Sequence, residues 1–87
     1  MKFEYDHKKS MLNKAKHGVD FDQAQALWED ERLLVLPLSF EDEARKACIG
    51  SIAGKCWTAI ITCRGYSVRL ISVRRARKDE ENAYESD

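Results

Sequence analysis

Arginine dominates the chemistry available to this chain. Residues Arg64 to Lys78 read RGYSVRLISVRRARK and carry six positive charges (Arg64, Arg69, Arg74, Arg75, Arg77 and Lys78) with no acid among them. A guanidinium is a planar fork of donors that matches two oxygens of a phosphate. Between the arginines, Val68-Arg69-Leu70-Ile71-Ser72-Val73 is rich in β-branched and aliphatic residues and reads as a strand. A strand would hold such forks rigidly enough to grip a phosphate. The same run also reads as a solvated edge strand with a basic exit, so its meaning depends on where the acids lie.

The net charge is zero by cancellation along 87 residues. Residues 19–43 hold eight acids against one arginine, and residues 79–87 hold five acids and no base. A positive face separated in this way attracts polyanions, and an acidic segment either meets a basic partner or shields the chain's own site. Overall neutrality argues against a general nucleic-acid coat protein. A metal centre is not expected: the two histidines stand ten positions apart, and Cys48, Cys56 and Cys63 form no CxxC pair. The cysteines read as small core residues of a reducing compartment. No apolar run is long enough for a membrane span and no signal peptide is legible at the start, so a cytoplasmic protein is expected. The length suits one domain, 1–87, with a single core.

These charges need elements to position them. Lys2-Phe3-Glu4-Tyr5 alternates as a short strand. Asp6 is a suitable N-cap for a helix over His7–His17, and Gly18 closes it. That helix is expected to bury a narrow stripe of Met11, Leu12 and Ala15. Asp20 with Gln23 forms a capping box ahead of an amphipathic helix over about 21–29, anchored by Trp28. Leu33 to Leu36, ended by Pro37, reads as a strand near an edge. From Ala44 onward the pattern is an antiparallel meander over 44–52, 55–64 and 67–75, with turns at Ala53-Gly54 and Gly65-Tyr66. A last helix from Ala76 to Glu85 has Ala83 and Tyr84 as its only anchors. The expected fold is α+β, mainly antiparallel β-sheet in the order β-α-α-β-β-β-β-α.

Register sharpens the expectation. With both turns taken as two-residue loops, 52 pairs with 55 and 64 with 67. Glu43, Arg45, Thr62, Arg64 and Arg69 then share one end of one face, which continues into Ala47, Ile49, Ile60, Ile71 and Val73. Cys48, Ile52, Trp57, Ala59, Ile61, Cys63, Val68 and Leu70 line the opposite face for the helices to cover. A carboxylate among arginines is a general base or orienting group beside a pentavalent phosphate, or else part of a surface ion-pair cluster. The same register sends Arg64 and Arg74 to opposite faces and opposite ends of their hairpin, roughly 25 Å apart.

Several segments carry a family likeness: Phe3-Glu4-Tyr5-Asp6, Asn13 with Lys16-His17-Gly18, Phe21 with Ala24, Glu43 with Arg45, Ile49-Gly50 and Thr62 with Arg64. Arg69-Leu70-Ile71-Ser72-Val73-Arg74-Arg75-Ala76 and the late Tyr84 complete it. In this order the chain resembles BrnT toxins nearly end to end. The resemblance implies a RelE-like fold and a ribonuclease that halts translation by cutting RNA. It also implies a BrnA antitoxin as partner, with operator DNA contacted only through that antitoxin. Carried over by position, Arg64, Arg74, Arg75 and Tyr84 become expected active-site members, followed by Glu43, Arg45 and His17. One departure is visible: many members read Glu-Glu-Arg where this chain has Glu43-Ala44-Arg45.

The implied chemistry needs neither metal nor cofactor. The RNA 2′-OH attacks the adjacent phosphate, Arg64 with Arg74 or Arg75 neutralises the developing charge, and Glu43 or His17 takes the proton. His17 beside Gly18 equally suits a helix C-terminal cap. Tyr84 either stacks on a base, donates a proton or docks the last helix. Arg45, Arg69, Arg77 and Lys78 would contact the RNA backbone. The competing class is a non-catalytic module that uses the basic 64–78 strand on nucleic acid or protein.

Overall fold

The computed structural model describes residues 1–38 and 44–86. The described elements run β1 (Lys2–Glu4), α1 (His7–His17), a 3-10 helix (Gln23–Glu29), β2 (Leu34–Leu38), β3 (Arg45–Ile52), β4 (Lys55–Arg64), β5 (Ser67–Arg75) and α2 (Lys78–Ser86). Five strands form one sheet in the order β1-β5-β4-β3-β2, antiparallel throughout except where β1 lies parallel to β5. The α+β class and the three-strand meander follow the expectation. No helix among the described residues is long and apolar enough to cross a membrane.

Both meander turns are as short as the register argument requires. Ala53 and Gly54 take φ of 51° and 79°, the paired left-handed conformations of a two-residue I′ loop. Gly65 takes φ of 60°, and Arg64 pairs with Ser67 across it. The sheet then departs from the simple register at one point. Ile61 pairs with Leu70 but Ile60 pairs with Ser72, so Ile71 is an extra residue in β5. This bulge reverses the side-chain parity of everything after it. Val73, expected on the same face as Ala47, instead enters the core under the helices and is fully buried.

The core lies on the Cys48 face of the sheet. Trp57, Ala59, Ile61, Val68, Leu70 and Val73 pack there beneath Val19, Phe21, Ala24 and Leu27. Cys63, expected among them, is exposed at the end of β4. The helices do not all cover this face. Glu80 of α2 bonds Thr58 and Arg74, which puts that helix on the opposite side.

Asp6 accepts from the backbone N–H of Lys8 at 2.8 Å and Lys9 at 3.2 Å, and Gly18 closes α1 at φ 89° with its N–H on Lys14 O. Helix bounds and caps match the sequence, but the buried face does not. Met11, Leu12 and Ala15 point outward, and Ser10 and Asn13 point inward. The reason lies in the sheet edge. β1 covers only Ser67–Arg69 of β5, leaving the peptide of Val73, paired with β4 on its other side, without a neighbouring strand at this edge. Asn13 takes that strand's place: Oδ1 accepts from Val73 N at 3.1 Å, and Nδ2 donates to Val73 O at 2.8 Å and Val19 O at 2.7 Å. Ser10 Oγ accepts from Phe21 N at 2.8 Å. An apolar stripe here would strand those peptide groups at about 1–3 kcal/mol each.

The capping box forms reciprocally, Gln23 N to Asp20 Oδ1 at 2.7 Å and Asp20 N to Gln23 Oε1 at 3.0 Å. It leads into a 3-10 helix from Gln23 rather than an α-helix from 21. Phe21, Ala24 and Leu27 recur every third residue, the spacing that a three-residue turn aligns on one buried face. Trp28 is half-buried and meets Phe3 edge-on at 5.0 Å. At the other margin β2 runs through Pro37, tolerated because an edge strand has one side with no ladder to complete. Replacing Asn13 by alanine is expected to lower stability by about 2–3 kcal/mol, seen as an earlier urea midpoint. Asn13→Asp should be at least as damaging, because it faces two carbonyl oxygens with a charge instead of a donor.

Candidate functional site

The basic residues gather on the face that α1 and the 3-10 helix leave uncovered. One rung of the sheet reads Leu38–Arg45–Thr62–Arg69–Glu4 across all five strands. Arg64 pairs with Ser67, and Ser67 with Lys2, in the next rung on the same face. Arg45 and Arg69 flank Thr62 at about 10 Å from each other at the backbone, and Arg64 stands about 7 Å from Thr62 along β4. Arg64 is exposed and has no hydrogen-bond or ion-pair partner among the described residues. Among the described residues Arg69 has a loose contact with Glu4 at 3.8 Å. Thr62 is buried, its hydroxyl donating to Ala44 O at 2.9 Å. Glu43, the carboxylate expected opposite Arg64, lies outside the described residues.

The Ile71 bulge corrects the expected placement of Arg74. It pairs with Thr58, so it shares a face with Arg64 and Arg69 instead of opposing them. Its rung remains distant from theirs, about 13 Å from Thr62 and about 20 Å from Arg64 along β4. Its guanidinium is also already engaged. Nη1 and Nη2 donate to the two oxygens of Glu80 at 2.7 and 2.9 Å. Thr58 Oγ1 at 3.0 Å and Arg77 N at 2.8 Å donate to the same carboxylate. The Arg74 fork holds the Glu80 carboxyl down at about 2, from an ordinary 4.5, against the opposing effect of burial. The Arg77 N–H bond to a Glu three residues on is half of a capping box, so Glu80 both starts α2 and clamps it to β5.

Arg75 points to the other face, its guanidinium 5.6 Å from the Trp57 ring centroid and its Nε donating to Cys56 O at 3.3 Å. Arg77 and Lys78 are exposed at the start of α2. His17 is the last residue of α1 and lines a cleft with Phe21 and Ile71, with no hydrogen bond to any candidate residue. Tyr84 reaches back across the sheet as expected of the last helix, and there its hydroxyl donates to Asp30 Oδ2 at 2.5 Å. Arg32 covers the ring at 5.4 Å. The hydrogen bond to Asp30 raises the Tyr84 pKa and lowers that of Asp30. The same Asp30 oxygen accepts from Ser51 N at 2.9 Å, filling the edge of β3 beyond the end of β2. Gly50 makes room for this approach, since a Cβ there would stand 3.0 Å from Leu33 Cδ1 and 3.2 Å from Asp30 Oδ2. Tyr84 is thus a docking pin for α2.

Cys56 lies two residues before Thr58 in β4 and so on this face, with its thiol pushed up by burial; on the core face burial pushes the Cys48 thiol up to about 11. Among the described residues no group of three or more His, Cys, Asp or Glu is arranged to hold a metal ion. Sequence reasoning missed Glu80, Asp30 and Lys2. The three-residue step from Arg77 to Glu80 was a usable sign of the first; the other two depend on strand pairing.

The sign of the Glu80 shift sets a pH dependence. A depressed carboxyl pKa stabilises the fold fully above about 4.5, and that stability is lost as pH falls through about 2. Thermal unfolding between pH 6 and pH 2 should therefore show a shallower acid limb in Glu80→Gln than in the parent, with a lower Tm at neutral pH.

A family model described as "Ribonuclease toxin, BrnT, of type II toxin-antitoxin system" matches residues 5–80. No individual curated protein matches the chain. The matched span includes every arginine of the sheet face and Glu80, and stops before Tyr84. Because that span is most of the chain, the family is settled: the chain belongs to the BrnT ribonuclease toxins of type II toxin–antitoxin systems.

Proposed function

We propose that this toxin cuts RNA across the open face of its sheet, with Arg64, Arg69 and Arg45 around the scissile phosphate. The observation that carries this reading is the rung Arg45–Thr62–Arg69 with the exposed Arg64 beside it, unpartnered among the described residues. In this reaction the 2′-OH attacks the adjacent phosphorus and the bond to the 5′ oxygen breaks. The products are a 2′,3′-cyclic phosphate and a free 5′-OH. Negative charge builds on the non-bridging oxygens, where guanidinium forks stabilise it. Glu43, two positions before Arg45, takes the 2′-OH proton; water supplies the proton for the leaving oxygen, since the Tyr84 hydroxyl is given to Asp30. No metal enters these steps. Lys2 and Arg77 with Lys78 extend the positive surface along the RNA backbone.

Arg74 acts differently in this reading. Both arms of its fork are used by Glu80, and its side chain is only 23% exposed. It positions α2 and does not touch the phosphate. Arg75, stacked on Trp57 on the other face, is likewise supporting. The broader reading includes a RelE-like fold, translation arrest in the cytoplasm, a BrnA-type antitoxin, and operator DNA bound only through that antitoxin.

Arg64→Ala should lower RNA cleavage by at least 100-fold, about 2.7 kcal/mol of transition-state stabilisation, without changing Tm. Cleavage by the parent should continue in EDTA and leave new 5′-OH ends. RNA that is bound but never acquires such ends would leave only a binding module. The Arg74 assignment is tested by a double-mutant cycle. If Arg74 works through Glu80, Arg74→Ala costs little further activity in the Glu80→Gln background. An equal loss in both backgrounds would place Arg74 on the phosphate instead.

A further inference from the structure

Helix α1 is amphipathic the wrong way round for a free protein. Its inward face carries Ser10 and Asn13, each only 7% exposed, while Met11 is 73% exposed and Leu12 68%. At 100° per residue, Ala15 and Lys8 fall between these two on the outer face, and the four line one shallow depression. Lys9 and Lys16 border the stripe on one side and Lys14 on the other, all exposed. The helix holds four lysines and no acid.

We infer that this stripe is the anchoring surface for an acidic amphipathic helix of the toxin's protein antitoxin. The inference rests on membership of a toxin–antitoxin family and not on the arginine assignments above. The apolar residues recur at helical spacing along about 12 Å of ridge, and the small Ala15 allows a second helix to approach closely. The charge decides which helix. Lys8 lies inside the stripe, so docking desolvates its ammonium, and the partner must place a carboxylate opposite it. Lys9, Lys14 and Lys16 ask for further acids at the rim. A second copy of this toxin meets the surface poorly, because an isologous α1–α1 contact would bring eight lysines together. Unlike the arginine face, the stripe points away from the sheet. Alongside it α1 borders the Val73 half of β5, whereas Arg64 and Arg69 belong to the Ser67 half beside β1. The anchor is therefore separate from the surface that RNA occupies.

The test titrates purified toxin with its cognate antitoxin, in parallel with RNA cleavage and thermal unfolding. Met11→Glu with Leu12→Glu should weaken binding at least 100-fold while cleavage and Tm stay within twofold and a few degrees of the parent. Lys8→Glu should weaken binding about tenfold and flatten its dependence on salt. Unchanged affinity in both variants would overturn the proposal. So would a free toxin that dimerises and loses that dimer with Met11→Glu and Leu12→Glu, which would assign the stripe to a second copy. Loss of cleavage in Arg64→Ala, or its absence, leaves this binding result readable on its own.

Discussion

One extra residue in β5 governs the arrangement of charge in this protein. Side chains alternate between the faces of a sheet, so the insertion of Ile71 opposite the Ile60–Ile61 step exchanges the two faces for the rest of the strand. Without it Val73 would leave the core and Arg74 would enter it. With it, Val73 closes the apolar layer under Phe21 and Leu27, and Arg74 emerges on the same side as Arg64 and Arg69. The core requires Val73, and the charged residue beside it is carried along. That placement brings Arg74 within reach of Glu80, and through Glu80 determines where the last helix lies.

The second organising feature is how the sheet ends. Both edge strands are short, so β5 beyond Arg69 and β3 beyond Ile49 would each expose unpaired peptide groups. Each gap is filled by a side chain: Asn13 from α1 at Val73, and Asp30 at Ser51. Each filling residue also ties down a neighbouring element. Asn13 holds Val19 and so the chain leading to the core cover; Asp30 holds Tyr84 and so α2. Polar side chains thus replace the missing strands, and this is why α1 turns its polar face inward and its apolar stripe to solvent.

The two basic clusters differ in what their charges are used for. In the Arg74 cluster the charge is matched within the fold, by a carboxylate that also accepts from Thr58 and Arg77. At the other end Arg69 is loosely held by Glu4 and Arg64 is open. A folded chain that leaves guanidinium groups weakly matched near one another tolerates mutual repulsion, which an anionic ligand relieves. The third basic surface, on α1, differs again: lysines around hydrocarbon, suited to a protein helix more than to a phosphate chain.

Much of this was legible from residue order alone. Asp6 and Gly18 bound α1, the Asp20–Gln23 pair starts the next helix, and the two glycine-bearing turns set the pairing of Arg45, Thr62 and Arg69. Such features are local: a cap or a two-residue turn is decided within about four residues. The family likeness was equally a property of the sequence. Three things were not legible. The bulge at Ile71 depends on which residues the core across the sheet will accept. The inversion of α1 depends on how far β1 runs along β5. The engagement of Arg74 and Tyr84 depends on Glu80 and Asp30, the latter 54 residues from its partner. The sequence therefore determined that a basic strand and an acidic last helix exist; only the tertiary structure decided that the helix directs its charge to Arg74 and leaves Arg64 open. The reason is that parity and edge coverage are properties of paired strands, not of any one strand.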